Sequence, residues 1–116
     1  VRVVGKEPDV QSAGALGSMV ARIWATRRMS VQVASVLSRG EMPNTEAALV
    51  KDLGTALEQE MPELARLIGT YAPDRMGNDL FEALLEYDTL HTPSFSIRGG
   101  TREVMRGIIA RGIGLR

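Results

Sequence analysis

Gly99-Gly100-Thr101-Arg102-Glu103 is the stretch whose residue types and spacing best suit chemistry. Two adjacent glycines let a backbone approach a ligand closely. Thr101 can cap a helix that follows, and Glu103 then stands in its first turn. A helix start presents amide N–H groups without intrahelical partners, which suit a phosphate or another anion. Charge is uneven along the chain: residues 98–116 hold five arginines against one acid, and residues 41–90 hold eleven acids against three bases. The basic tail either faces phosphates or forms a solvated helix face.

Other polar residues compete weakly for a role. His91 lies between helix-like stretches and reads as a solvated histidine rather than a general base. Glu58, Glu60 and Glu63 straddle Pro62 without the oxygen-rich loop that calcium needs, so they read as an exposed face. Arg27 and Arg28 could touch a phosphate across a subunit boundary, but a solvent face is the plainer reading. Lys51 offsets its acidic neighbours. Met19, Met29, Met61 and Met105 are core filler. With one histidine and no cysteine, disulfides and thiolate chemistry are excluded, and no metal site is expected. No side chain stands out as catalytic.

Composition bounds the rest. A chain of 116 residues is read as one domain, 1–116, with a modest core. Zero formal net charge gives nucleic-acid binding no overall support. No apolar run approaches the roughly 18 residues of a membrane span. No charged-then-apolar leader is visible, so a cytoplasmic location is expected.

The elements that must position the tail are helical. Val1–Pro8 reads as loose, and Asp9 can start a helix. Ala13, Leu16, Val20, Ile23, Trp24, Val31, Ala34 and Leu37 then recur at roughly helical spacing, and Gly40 stops the run. Gly14 and Gly17 cost about 1 kcal/mol each against alanine, which a closely packed helix would explain. A second helix starts at Asn44 or Thr45 with the stripe Ala47, Val50, Leu53, Leu57, Met61, Leu64 and Ile68. It is expected to kink near Pro62 and to close at Gly69. Thr70–Asn78 reads as a loop. Asp79–Leu90 reads as a short helix with Leu80, Ala83, Leu84 and Tyr87 in phase, broken at His91–Ser94. A last helix spans about Thr101–Arg111, burying Val104, Ile108 and Ile109 and turning Arg102, Arg106 and Arg111 outward. The fold class is all-α: a partial antiparallel helical bundle, two long helices plus shorter ones. Trp24, Phe81 and Phe95 are its expected large anchors. So thin a core implies pairing with another chain or membership of a longer one.

The tail resembles the C-terminal signature of the acyl-CoA dehydrogenases, which typically reads Gly-Gly-Thr-Ser-Glu-Ile, an arginine, Ile-Ile-Ala, then Leu-Gly-Leu-Pro-Arg. Here Gly99-Gly100-Thr101-Arg102-Glu103-Val104, Arg106, Ile108-Ile109-Ala110 and Gly114-Leu115 carry the likeness. Thr45–Lys51 is similar to the family's run of small residues leading to a lysine. The resemblance implies the C-terminal helical domain of a longer FAD-dependent enzyme that oxidises acyl-CoA to enoyl-CoA. It implies that Thr101 and Glu103 contact FAD, and that Gly99 and Gly100 contact the substrate. It also implies oligomers, homomeric or heteromeric, of related subunits. Many members carry the catalytic glutamate directly before the Gly-Thr pair, and here that position is Gly99. The chain alone is therefore expected to be inert. The alternative is a non-catalytic assembly subunit or helical oligomerisation module without the base.

Overall fold

The computed structural model describes residues 7–71 and 79–115. Most of the expected loose start Val1–Pro8, the part of the Thr70–Asn78 loop beyond Tyr71, and Arg116 lie outside the described residues. Four α-helices and one short 3₁₀ helix make up the described chain: α1 Val10–Ser38, α2 Asn44–Tyr71, α3 Asp79–His91, the 3₁₀ helix Thr92–Ser96, and α4 Arg102–Gly112. Among the described residues there is no strand, and the all-α class holds.

Local chemistry sets the ends. Pro8 precedes Asp9, whose carboxylate accepts from the amides of Gln11 at 3.0 Å and Ser12 at 2.9 Å and from the Ser12 hydroxyl at 2.5 Å. This side-chain cap satisfies two amides that have no partner within the helix. Residues 39–43 then return the chain, so α1 and α2, of 29 and 28 residues, run antiparallel as a long hairpin. At about 1.5 Å per residue each helix is roughly 40 Å long, which gives the molecule its extents of 50 × 26 × 25 Å. The second helix is unbroken through the buried Pro62 and continues past Gly69 to Tyr71.

The hub is α2: α1, α3, the 3₁₀ helix and α4 all pack on it. Its stripe supplies the buried Ala48, Leu57 and Ile68, and α4 adds Met105. With Pro43 and Pro62 these are the buried apolar side chains among the described residues. The predicted stripe holds on α2 at Leu57 and Ile68, while Leu53 is 43% exposed.

On α1 the face differs from the one the large residues suggested. Its half-buried positions are Ala15, Met19, Arg22, Thr26, Met29, Val33 and Val36, spaced three and four apart, with Leu16 beside the first of them. Val20, Ile23, Trp24, Val31 and Leu37 are exposed, and Trp24, an expected anchor, keeps 63% of its surface in solvent. The cause is that α1 is apolar on nearly every side, so size alone does not say which side meets α2. A Cβ added at Gly14 or Gly17 would likewise meet no atom within 4 Å, so no intrachain helix crossing explains these glycines.

In α3 the apolar positions Leu80, Leu84 and Tyr87 point outward, and Phe81 and Leu85 are the half-buried ones. His91 is the last residue of α3 rather than a loop residue. Its ring stacks on Tyr87 with centroids 3.8 Å apart, and its Nδ1 lies 3.0 Å from the Tyr87 carbonyl oxygen.

Where α4 crosses α2 the backbones are close. A Cβ added at Gly112 would stand 2.0 Å from Thr45 Oγ1 and 2.7 Å from its Cγ2. Gly112→Ala is therefore expected to destabilise the fold by roughly 1–3 kcal/mol through overpacking. Gly17→Ala, in open space inside a helix, is expected to add about 1 kcal/mol. Urea unfolding of the two variants beside the parent checks both signs.

Candidate functional site

The tail turn forms as its residue types require. Gly99 has φ 72° and Gly100 φ 106°, in the left-handed half of backbone space where a side chain is strained. A Cβ at Gly100 would also lie 2.5 Å from Met105 Cε. Thr101, with φ −71° and ψ 162°, is the N-cap of α4, and its hydroxyl accepts from the Val104 amide at 3.5 Å. Glu103 stands in the first turn, exposed. Its carboxyl is held below the ordinary carboxylate value by hydrogen bonds from its own amide and from the Thr101 hydroxyl, with the charges of Arg106 and Arg102 adding. The four expected site residues thus form one continuous surface, from Gly99 to Glu103.

Two adjacent residues of α2 fasten this surface, and sequence reasoning missed both roles. Lys51 donates to the Thr55 hydroxyl at 2.6 Å and to the Phe95 carbonyl at 2.8 Å. It does more than balance neighbouring acids. Asp52 accepts from Arg102 Nε at 2.8 Å and lies 3.6 Å from Arg106 Nε. Arg102, expected to point outward, is instead drawn in to 31% side-chain exposure, against 12% for Asp52. The visible signal was a pair of arginines four apart on one helix face beside an acid-rich partner helix. Nothing local, however, links residues 50 positions apart. On α4, Met105 is buried where Val104 was expected, and Val104 is 53% exposed.

An open groove of about 860 Å³ runs between α1 and α2 to the turn. Leu57, Met61 and Phe95 supply apolar walls, Arg27, Lys51 and Arg98 supply positive charge, and Glu58 supplies one acid. The Arg98 guanidinium sits 4.5 Å from the centre of the Phe95 ring, a cation–π contact. A second hollow of about 410 Å³ lies on the other side of Lys51 and Gly99, beneath Met105 and Ile108 of α4. Arg28 is exposed away from this lining.

The remaining candidates resolve into surface pairs. Glu60 accepts from Arg22 at 2.5 Å, Glu63 pairs with Arg66, and Glu58 lines the groove. Among the described residues no group of three or more His, Asp or Glu side chains gathers as a metal site would, and no helix is long and apolar enough to cross a membrane.

Asp52 ionises below its ordinary 3.8, chiefly through the Arg102 hydrogen bond. A carboxyl with a depressed folded value stabilises the fold above its unfolded value. That contribution fades as pH falls through the lower folded one. The melting temperature is expected to drop as pH is lowered below about 4, and Asp52→Asn is expected to lower it at neutral pH while flattening that acid limb. Thermal scans from neutral to strongly acidic pH check both.

Comparison with curated proteins and with solved structures finds no significant match. A family model, acyl-CoA dehydrogenase, C-terminal domain, matches residues 2–114. That match spans nearly all of the helical hairpin, the glycine turn and the capped last helix, and the chain belongs to the acyl-CoA dehydrogenase C-terminal domain family.

Proposed function

We propose that this chain serves as the C-terminal helical domain of an FAD-dependent acyl-CoA dehydrogenase, providing scaffold, subunit contacts and one edge of the FAD site. The observation that carries this reading is that the groove runs to Gly99, where the side-chain-free turn leads directly into the capped start of α4. FAD, when bound, supplies the two-electron oxidant for conversion of an acyl-CoA to an enoyl-CoA.

The residues suit particular parts of that cofactor. Glu103 already sets a negative charge at the start of α4, held there by its own amide and by Thr101. A phosphate beside it would be repelled. A carboxylate and a hydroxyl are instead good partners for ribose or ribityl hydroxyls and for a ring N–H. Thr101 and Glu103 are therefore proposed to hold the cofactor through its neutral polar groups. Gly99, lacking a side chain, leaves room for the acyl thioester at the mouth of the groove, and Gly100 is proposed to meet it through backbone alone, since Met105 fills the space beside it. The apolar walls receive an acyl chain, and the flanking bases receive anionic parts of the substrate.

Proton abstraction next to a thioester carbonyl needs a base in reach, and Gly99 has none to offer. In this reading the chain alone is inert, and the base comes from outside these residues. Gly99 also favours a second reading, in which the chain is a non-catalytic assembly subunit that keeps the fold for oligomerisation beside an active partner.

The protein that carries this chain, purified with FAD present, separates the two. The first reading expects a yellow protein that retains flavin through gel filtration. It expects Thr101→Val and Glu103→Gln each to weaken FAD binding about tenfold, the scale of one lost hydrogen bond to a charged or well-placed partner. A colourless protein with no flavin uptake overturns it in favour of the assembly reading.

A further inference from the structure

We propose that Lys51 is the positioning residue of the glycine turn: its ammonium, bridging α2 to the 3₁₀ helix, sets where Gly99, Gly100 and the start of α4 stand. This rests on the site assignment just made and adds a residue that the assignment does not contain.

Residues 97–99 form a turn, flanked by the backbone hydrogen bonds of Ile97 N–H to the Ser94 carbonyl and of Met105 N–H to the Thr101 carbonyl. Two glycines with positive φ have the widest backbone freedom of any residues. The turn therefore takes its position from what is fixed at its two ends. At the far end Asp52 holds α4 through Arg102. At the near end Lys51 Nζ reaches the Phe95 carbonyl at 2.8 Å while its other bond, to Thr55 Oγ1 at 2.6 Å, pins the ammonium. Thr55 is only 2% exposed, so that anchor does not wander.

The stem of Lys51 matters as well as its charge. Its Cε lies 3.6 Å from where a Cβ on Gly99 would be, so the stem runs close beside the side-chain-free position. Lys51 and Gly99 line both the 860 Å³ groove and the 410 Å³ hollow, so the two residues stand at the boundary between these spaces. Removing the ammonium frees the Phe95 carbonyl and leaves the boundary without its tie. An ammonium also keeps three donors on a compact head, which suits one carbonyl and one hydroxyl at once.

The test uses Lys51→Met, which keeps an unbranched stem and removes the charge, and Lys51→Arg, which keeps a cation able to reach a carbonyl. The first readout needs no ligand: the rate at which trypsin cleaves after Arg98, followed by product mass, beside the melting temperature. Cleavage there is expected to rise about tenfold in Lys51→Met, in keeping with the loss of a charged hydrogen bond, with the sites in α1 unchanged and Lys51→Arg restoring most of the protection. Unchanged cleavage at Arg98, or a rise spread evenly over the chain, overturns the proposal. The second readout is FAD titration. If the parent binds FAD, Lys51→Met is expected to bind it more weakly and Lys51→Arg nearly as well; equal affinity in all three overturns the positioning role. If the parent takes up no FAD, the flavin assignment fails by itself, and the cleavage result still decides whether Lys51 sets the turn.

Discussion

The arrangement depends on a pair of neighbouring charges, Lys51 and Asp52, on the one helix that every other element touches. Consecutive residues on a helix project about 100° apart, so the two side chains reach different targets. Lys51 takes the carbonyl at Phe95, before the turn, and Asp52 takes the guanidinium of Arg102, after it. Such polar ties count for more here than in a larger domain. A core of Ala48, Leu57, Ile68 and Met105 removes little apolar surface from water. Directional contacts then decide where a short terminal helix docks, and Gly112 allows that docking by leaving room for Thr45. A partly buried Asp52 without Arg102 and Arg106 would be an uncompensated charge beside an apolar layer, so the pair specifies geometry as much as it stabilises.

Some of this was legible in the sequence because the signals were local. The Asp9 cap, the glycine after Arg39 and the Thr101 cap each mark a helix end through a side chain next to the end itself, and the elements begin and stop within two residues of them. The amphipathic stripe of α2 was legible for the same reason. Most of its charged residues, Glu46, Glu58, Glu60, Glu63 and Arg66, are exposed, while Leu57 and Ile68 are buried. On α1 that logic fails. Ala15, Met19, Arg22, Thr26, Met29, Val33 and Val36 make the inner face, while Val20, Trp24 and Val31 lie outside, so side-chain size does not mark the packed side. The two helices come close at Gly54, where an added Cβ would stand 3.8 Å from Thr26 Cγ2. Pairings such as Lys51 with Phe95 and Asp52 with Arg102 are properties of the folded chain alone. So is the choice of Met105 over Val104 as the buried residue of α4.

The outer face of α1 bears on the proposed scaffold role. Ala13, Gly17, Val20, Trp24 and Val31 recur at intervals of three, four and seven on the side away from α2. A helix that is apolar on both sides is one that packs on both sides. Monomeric proteins seldom leave such a stripe in water, and Trp24 in the middle of it is the kind of residue that anchors contacts between chains or domains. The exposed Leu80, Leu84 and Leu90 of α3 extend the same pattern to another surface. A domain whose own core is thin and whose outer faces are apolar is suited to be one layer of a larger assembly, which is the role both functional readings give it.

Electrostatics at the turn explain why Gly99 is more than a lost side chain. A carboxylate at that position would sit against the Lys51 stem, with Arg98 next in the chain and Arg27 on the same groove. Opposite charges so close favour the ionised form and lower a carboxyl group's proton affinity, whereas a general base works best with its proton affinity raised toward neutral pH. The surroundings built here would therefore make a poor base of a glutamate at residue 99. On the groove side the turn faces Arg27, Lys51 and Arg98, with Glu58 as the one acid among them. In that sense the glycine and its cationic neighbours agree with one another. Under the proposed function, any step that removes a proton from a ligand in this groove must draw its carboxylate from beyond residue 99.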